Sequence, residues 1–172
     1  MITSKLQNAL NEQINAEFYS AYLYLSMAAY FESMSLQGFA NWMRAQAQEE
    51  LAHAMKFYDF INQRDGRVTL KQIAQPPADW DSAITALKTV HEHEQNITQL
   101  INKLVNLAAA QKDHATYAFL QWFVNEQVEE QQKTSDIVGK LKLLNDTPAG
   151  LYMIDAEIHR RVFTPVAEQQ AP

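Results

Sequence analysis

The chain has 172 residues, of which 47% are hydrophobic and 20% charged, and its formal net charge at pH 7 is −6. This length is enough for one domain with a substantial core. The chain contains no cysteine, which excludes disulfide bonds, thiolate zinc sites, iron–sulfur clusters and cysteine nucleophiles. The acidic balance and the lack of a basic stripe argue against a nucleic-acid partner.

No apolar run approaches the roughly 18 residues that a membrane-spanning helix needs. The first residues lead into an amphipathic pattern and lack the continuous apolar core of a signal peptide. We therefore expect no membrane partner and a cytoplasmic location, with which the absence of cysteine is compatible. Only four glycines and five prolines occur, as is typical of a mostly helical chain.

Apolar residues recur at steps of three and four along two long segments in the first part of the chain. The pattern predicts helices from about residue 5 to 32 and from about residue 36 to 64, separated by a short break at residues 33–35. Ser35 is the expected N-cap of the second helix. The predicted buried stripe of the first helix contains Leu6, Leu10, Ile14, Ala21, Leu25 and Ala28.

Asp65 and Gly66 are expected to end the second helix, and about sixteen residues without helical periodicity follow. A loop of this length is unusual inside a compact domain. A crossover that runs the length of a helical bundle explains it. Its apolar residues, which include Val68, Leu70 and Ile73, are expected to pack on the bundle or on a neighbouring subunit.

The second half of the chain repeats the helical pattern from about residue 82 to 111 and from about residue 115 to 144, with a tight turn at residues 112–114. A short fifth helix is expected over residues 151–161. The fold class is therefore all-α, a four-helix bundle with a long crossover between helices 2 and 3 plus a short fifth helix. We expect one domain over residues 1–163 and a loose C-terminal tail over residues 164–172.

Each long helix carries polar residues near its midpoint on the face that should be buried. Glu50 and His53 are three apart, so a helix places both on one face, among apolar positions. An unpaired carboxylate in such a place is very costly and requires compensation. The inward polar set consists of Glu17, Glu50, His53, Glu94, Gln127 and Glu130.

Four carboxylates at one level of a bundle would repel one another strongly, and two divalent cations are the simplest compensation. Oxygen-rich ligation with one imidazole and no sulfur favours iron or manganese over structural zinc. Glutamates from two helices and Glu-x-x-His pairs from the other two form the dimetal pattern of such bundles. Here Gln127-x-x-Glu130 replaces the second pair, which suggests a second metal held by fewer ligands, in a site through which metal passes.

Five further residues have more than one interpretation. Tyr24, one step beyond Glu17 on the same face, could hydrogen-bond a ligand, donate an electron or simply pack in the core. Trp122 is interpreted as a core residue, with a redox role as the alternative. Three acidic residues flank the inward set and could form a third metal site or a solvated surface: Glu49, Glu126 and Glu129.

At these residues the chain resembles the bacterial non-haem ferritins. The similarity extends from about residue 6 to residue 158. It includes the sequences NEQ before Glu17, QAQEE before His53, EHEQ around Glu94, FLQW at residues 119–122 and GLY at residues 150–152. The resemblance implies a ferritin-like diiron domain in a homo-oligomeric shell of 24 subunits. Such a shell would oxidise Fe(II) with dioxygen and store ferric oxyhydroxide in its cavity.

The resemblance also implies a role for each position of the motif. Glu17, Glu50 and His53 resemble the ligands of the first iron, with Glu50 bridging, while Glu94 and Glu130 resemble those of the second. Gln127 lies beside the second iron, Tyr24 matches a redox-active tyrosine, and the third-site positions match Glu49, Glu126 and Glu129. Bacterioferritins place methionine after the bridging glutamate and histidine at the last ligand position. This chain has Leu51 and Glu130 there, so no haem is expected.

Two other functions remain open at this point. One is a diiron oxidase or peroxidase of the rubrerythrin type, against which the lack of a cysteine-rich iron module and the short fifth helix argue. The other is a catalytically silent storage shell, although such subunits lack part of the ligand set that this chain carries. Particle size would distinguish a shell from a lone bundle, and oxygen consumption would distinguish a catalyst from a container.

Overall fold

Five α-helices follow one another in the computed structural model, which describes residues 2–144 and 147–160. Their bounds are α1 Ser4–Ser33, α2 Gln37–Gln63, α3 Ala83–Ala110, α4 His114–Leu143 and α5 Pro148–Ile158. The predicted all-α fold is confirmed, and the described residues contain no strand. The fifth helix begins three residues before its predicted start. The predicted domain end at residue 163 and the tail at 164–172 lie outside the described residues.

Three of the helices end in the same backbone motif. Ser35, Asp65 and Lys112 follow the ends of α1, α2 and α3, and each has a positive φ between 54° and 61°. After α1, the Ser35 N–H donates to the carbonyl of Glu32 and the next N–H donates to that of Phe31, which is the Schellman arrangement. The prediction that Ser35 caps α2 is therefore wrong, because this residue closes α1 and Leu36 precedes α2 without a side-chain cap.

Two apolar clusters fill the bundle on either side of a polar layer. One contains Met27, Phe31, Phe39, Val90 and Leu141, among others. The other contains Leu6, Leu10, Phe57, Ile61, Ile101, Leu120 and Phe123, among others. Leu25 is 48% exposed, which corrects its prediction as a core residue. The buried face of α1 passes through Ala21, Tyr24 and Ala28 at three- and four-residue steps, and Leu25 lies outside it.

The crossover runs along α1, as the sequence predicts. The Asn11 side chain binds both Arg67 O, at 3.1 Å, and the Thr69 N–H, at 2.9 Å. Near the other end of α1, the Tyr30 hydroxyl donates to Trp80 O at 2.9 Å. Since α1 rises about 1.5 Å per residue, these two anchors are roughly 28 Å apart.

The apolar side chains of the crossover do not all pack on this bundle. Val68 packs against the second apolar cluster. Leu70 and Ile73 are instead 61% and 39% exposed. For these two residues, the alternative expectation of packing on a neighbouring subunit stays a prediction. Within residues 2–144 and 147–160, no helix combines the length and apolarity that crossing a membrane requires.

Candidate metal centre

All six residues of the predicted inward polar set are buried in the layer between the two apolar clusters. None is more than 5% exposed, although each carries a charged or strongly polar side chain. The helical period placed them correctly because α1 to α4 are continuous through this level. Their burial is thus confirmed, and their role as ligands remains a prediction. The six are Glu17, Glu50, His53, Glu94, Gln127 and Glu130.

Three of these residues converge closely enough to share one cation. Glu17, Glu50 and His53 offer ligand atoms that all lie within 4.8 Å of one another, the only such group of three or more acidic or histidine residues in the described part of the chain. Glu50 Oε2 lies 3.2 Å from His53 Nδ1. Two carboxylates and one imidazole form a donor set suited to a divalent cation such as iron.

One oxygen of this group lacks a hydrogen-bond partner. Gln13 Nε2 donates to Glu17 Oε1 at 2.8 Å, whereas Glu17 Oε2 is buried and accepts no hydrogen bond from an N–H or hydroxyl donor of the protein. A buried acceptor left unsatisfied costs about 1–3 kcal/mol. A cation bound between Glu17 and its neighbours would satisfy this oxygen, so the residues present fit a metal ion.

Aromatic side chains hold the imidazole of this group in place. The His53 ring lies 5.4 Å from the Trp122 ring and 5.9 Å from the Phe123 ring, both nearly perpendicular to it. Such edge-to-face contacts restrict how the ring can turn. Trp122 is half-buried and contacts the site through His53, in keeping with its interpretation as a packing residue.

The other two carboxylates of the layer are already occupied by protein donors. Glu94 accepts from the Tyr24 hydroxyl on Oε1 and from Gln127 Nε2 on Oε2, the latter at 3.0 Å. Glu130 accepts from Gln46 Nε2 on Oε2 at 2.7 Å and from Lys133 Nζ on Oε1 at 2.8 Å. The contact with Glu94 supports the hydrogen-bonding interpretation of Tyr24.

Burial disfavours the charged form of the acids in this layer. Burial, followed by the charge of Glu50, raises the pKa of Glu17 from its ordinary 4.5 to about 8. Burial and then the charge of Glu94 raise the pKa of Glu50 well above its usual range. The pKa of Glu94 rises to about 7 for the same first reason, with Glu130 as the next cause. A bound cation would reverse this preference by stabilising the carboxylates.

The three residues of the predicted third site are more accessible than the layer. Glu49 and Glu126 are half-buried and Glu129 is exposed. Burial raises the pKa of Glu126, whose carboxyl also senses the charges of His53 and Glu129. Glu126 therefore lies beside the central layer, and whether the three acids hold a metal stays a prediction.

Sequence reasoning missed three of the side chains that donate to the acids. Gln13 and Gln46 each precede a predicted ligand by four residues. The sequence alone therefore predicts that each lies one helical turn from that ligand. That spacing predicts a shared face but not the partner, because Gln46 donates to Glu130 on α4 and not to Glu50. Lys133, three residues after Glu130, could have been found by the same rule.

Comparisons with known proteins agree with this geometry. The family described as "Ferritin-like domain" matches residues 7–144. A Bacteroides fragilis protein named "Bacterial non-heme ferritin" is 45% identical over 161 residues, covering 94% of this chain and all of the relative. A Campylobacter jejuni protein of the same name is 40% identical over 158 residues, covering 92% of this chain and 95% of that relative.

Solved structures of an archaeal protein are also similar. The open-pore ferritin of the hyperthermophilic archaeon Archaeoglobus fulgidus superposes with a TM-score of 0.93 at 54% identity, covering 94% of this chain and all of that one. An engineered closed form of the A. fulgidus ferritin gives a TM-score of 0.93 at 55% identity, over 95% of this chain and all of that chain.

Proposed function

Since the chain belongs to the ferritin family, we propose that it oxidises Fe(II) with dioxygen at a dinuclear site inside each bundle. Membership in this family makes it an iron-storage protein with ferroxidase activity. The ferric product is stored as oxyhydroxide in the cavity of a shell built from copies of the chain. Fe(II) and dioxygen are the substrates.

The observation that carries this proposal is the buried group of Glu17, Glu50 and His53. Its ligand atoms lie within 4.8 Å of one another, and one buried oxygen of Glu17 has no partner. Such a group is unfavourable in an apolar bundle unless a cation binds there. We assign it to the first Fe(II).

A second Fe(II) is assigned to Glu94 and Glu130, with Gln127 beside it and Glu50 bridging the two ions. Two divalent ions carry four positive charges, which balance the four carboxylates of the layer when His53 is neutral. Glu50 senses the charges of both Glu94 and Glu130, which supports its position between the two groups. Glu49, Glu126 and Glu129 are proposed to hold a third iron.

The protein contributes ligation, proton release and exclusion of water. Each Fe(II) gives one electron to dioxygen, and formation of the ferric oxyhydroxide from water releases protons. Glu17 and Glu50, whose pKa values are raised, are expected to lose protons as Fe(II) binds. The Tyr24 hydroxyl fixes the orientation of the Glu94 carboxylate. The apolar clusters on either side limit the access of water to the layer.

Assembly into a closed shell of 24 subunits is part of the proposal. Large apolar side chains lie exposed on the crossover and on each of the five helices of the single chain, among them Tyr22, Leu25, Leu70, Leu143, Tyr152 and Met153. Contacts between copies of the chain would remove such side chains from water, which supports assembly. A cytoplasmic location also remains our expectation.

Replacing Glu94 or Glu130 with alanine tests the assignment of the second iron. Each replacement is expected to slow the rapid phase of Fe(II) oxidation by at least about tenfold while the fold is retained. Stopped-flow absorbance after mixing with Fe(II) in air measures the rate, and light scattering measures the particle size. Glu92→Ala, at an exposed position of α3, is the matched control. A fast phase that is unchanged in both variants would contradict the assignment.

A further inference from the structure

The Glu130 carboxylate has an ammonium group as a neighbour in addition to its amide donor. Lys133 Nζ lies 2.8 Å from Glu130 Oε1, and the Lys133 side chain is 40% exposed whereas that of Glu130 is 2% exposed. The lysine lies one turn further along α4, so its long side chain reaches back to the layer from the surface. A half-exposed cation is thus paired with a buried proposed ligand.

An ammonium group in this position competes with a metal ion. The other oxygen of Glu130 accepts from Gln46 Nε2 at 2.7 Å, so both oxygens already have a donor. A divalent cation bound to Glu130 would lie within a few ångströms of the ammonium, and the two positive charges would repel strongly in this buried layer. The ion pair and a tightly bound second metal are therefore mutually unfavourable.

We propose that Lys133 is a tethered cation that occupies Glu130 in the metal-free protein and must withdraw before the second Fe(II) binds. It lowers the affinity of the second position without being a ligand itself. This inference rests on the proposed function, because it requires Glu130 to be a ligand of the second iron.

Acidic residues nearby give Lys133 another partner when it leaves Glu130. Glu129 lies four residues before it on the same helix, the spacing and order at which glutamate and lysine pair favourably. Glu126 is within electrostatic range of Lys133. Both belong to the predicted third site, so binding of the second metal would move a positive charge towards that site. Withdrawal then costs little, which suits a second position that fills and empties during turnover.

Anaerobic titration of the assembled protein with Co(II) tests the inference. Binding of Co(II) can be followed by visible absorption and by isothermal titration calorimetry, and the ion is not oxidised during the experiment. In wild-type protein, the two positions of the buried layer are expected to give a tighter and a weaker binding event per subunit, distinct from binding at the accessible third site. Lys133→Gln should strengthen the weaker event about threefold to tenfold and leave the tighter event unchanged. Lys133→Arg retains the charge and should keep the weaker event close to wild type.

Lys140→Gln is the matched control, since it removes the same charge from the same helix two turns away. Lys140 is 48% exposed and pairs with Glu157 on α5, outside the polar layer. This replacement should leave both events unchanged. Equal strengthening by Lys133→Gln and Lys140→Gln would show a general charge effect and overturn the inference.

Thermal melting gives a second readout, in which Lys133→Gln is expected to be unfavourable in the absence of metal although it strengthens metal binding. In metal-free protein, Lys133→Gln should lower the melting temperature because Glu130 loses its cation, whereas saturating Co(II) should restore it. If two events persist and Lys133→Gln leaves the weaker one unchanged or weakens it, the lysine does not compete. If no variant binds Co(II) tightly, the proposed dinuclear site itself fails.

Discussion

Glu17, Glu50 and His53 direct their ligand atoms at one another, whereas Glu94 and Glu130 direct theirs at protein donors. A cation entering the first group gains an oxygen that nothing else satisfies. A cation that enters the second group must displace or reorient hydrogen-bond donors. Each of these hydrogen bonds contributes roughly 1 kcal/mol to stability, and more where the donor is charged. From this comparison we expect the two proposed metal positions to fill in order, the first before the second.

The largest effect on metal affinity is expected from replacing Glu50, the ligand that the two metal positions are proposed to share. Glu50→Gln keeps the side-chain volume but removes the charge that both positions are proposed to use. We expect the affinity of the first event to fall about 100-fold and the second event to disappear. Anaerobic Co(II) titration measures both events, and Asp59→Asn, at an exposed position of α2, serves as the control. Loss of only one event would show that Glu50 does not bridge.

The next effect concerns the stability of the metal-free protein. The pKa of Glu17 is about 8 in the folded chain, against an ordinary value of 4.5. Between these values the folded state holds a proton that the unfolded state has released, so stability falls as pH rises from about 5 to 8. The expected loss is on the order of a few kcal/mol. A chelated sample should therefore melt at a higher temperature at pH 5 than at pH 8.

Glu17→Gln should make this dependence shallower because the variant lacks one titrating carboxyl, while Glu50 and Glu94, whose pKa values are also raised, keep part of the slope. The Asp113 carboxyl does not interfere, because the Arg64 side chain lowers its pKa to about 2 and the stability it contributes is lost only in stronger acid. Saturating divalent cation should also flatten or invert the slope in wild type. An identical slope in wild type and Glu17→Gln would place the responsible proton elsewhere.

The buried polar layer could be predicted from the sequence because the period of the α-helix tells which positions along the chain share one face. The sequence could not predict which donor reaches which acid, since those pairings depend on contacts across the bundle between residues distant in sequence. Tyr24 and Glu94 are 70 positions apart, and Gln46 and Glu130 are 84 apart. Local backbone geometry was equally hidden, because nothing in the residue type of Ser35 predicts its positive φ.

The smallest effect is expected at Tyr24, whose hydroxyl donates to Glu94 in the second group. Tyr24→Phe keeps the buried ring but removes one of the donors that a second cation must displace. We expect the weaker Co(II) event to tighten about threefold, the tighter event to stay constant and the metal-free stability to fall by about 1 kcal/mol. Tyr22→Phe, at an exposed position of α1, is the control.

The electron-donor interpretation of Tyr24 predicts a different result for the same variant. An electron donor affects the rate of oxidation and not the anaerobic affinity, so single-turnover stopped-flow kinetics in air distinguish the two roles. If Tyr24→Phe slows oxidation while both Co(II) events keep their affinities, the tyrosine acts on the reaction and not on the ligand. The weaker binding at the second position would then depend on Gln46, Gln127 and Lys133 alone. The Tyr24 hydroxyl would not belong to the donors that compete with the second cation.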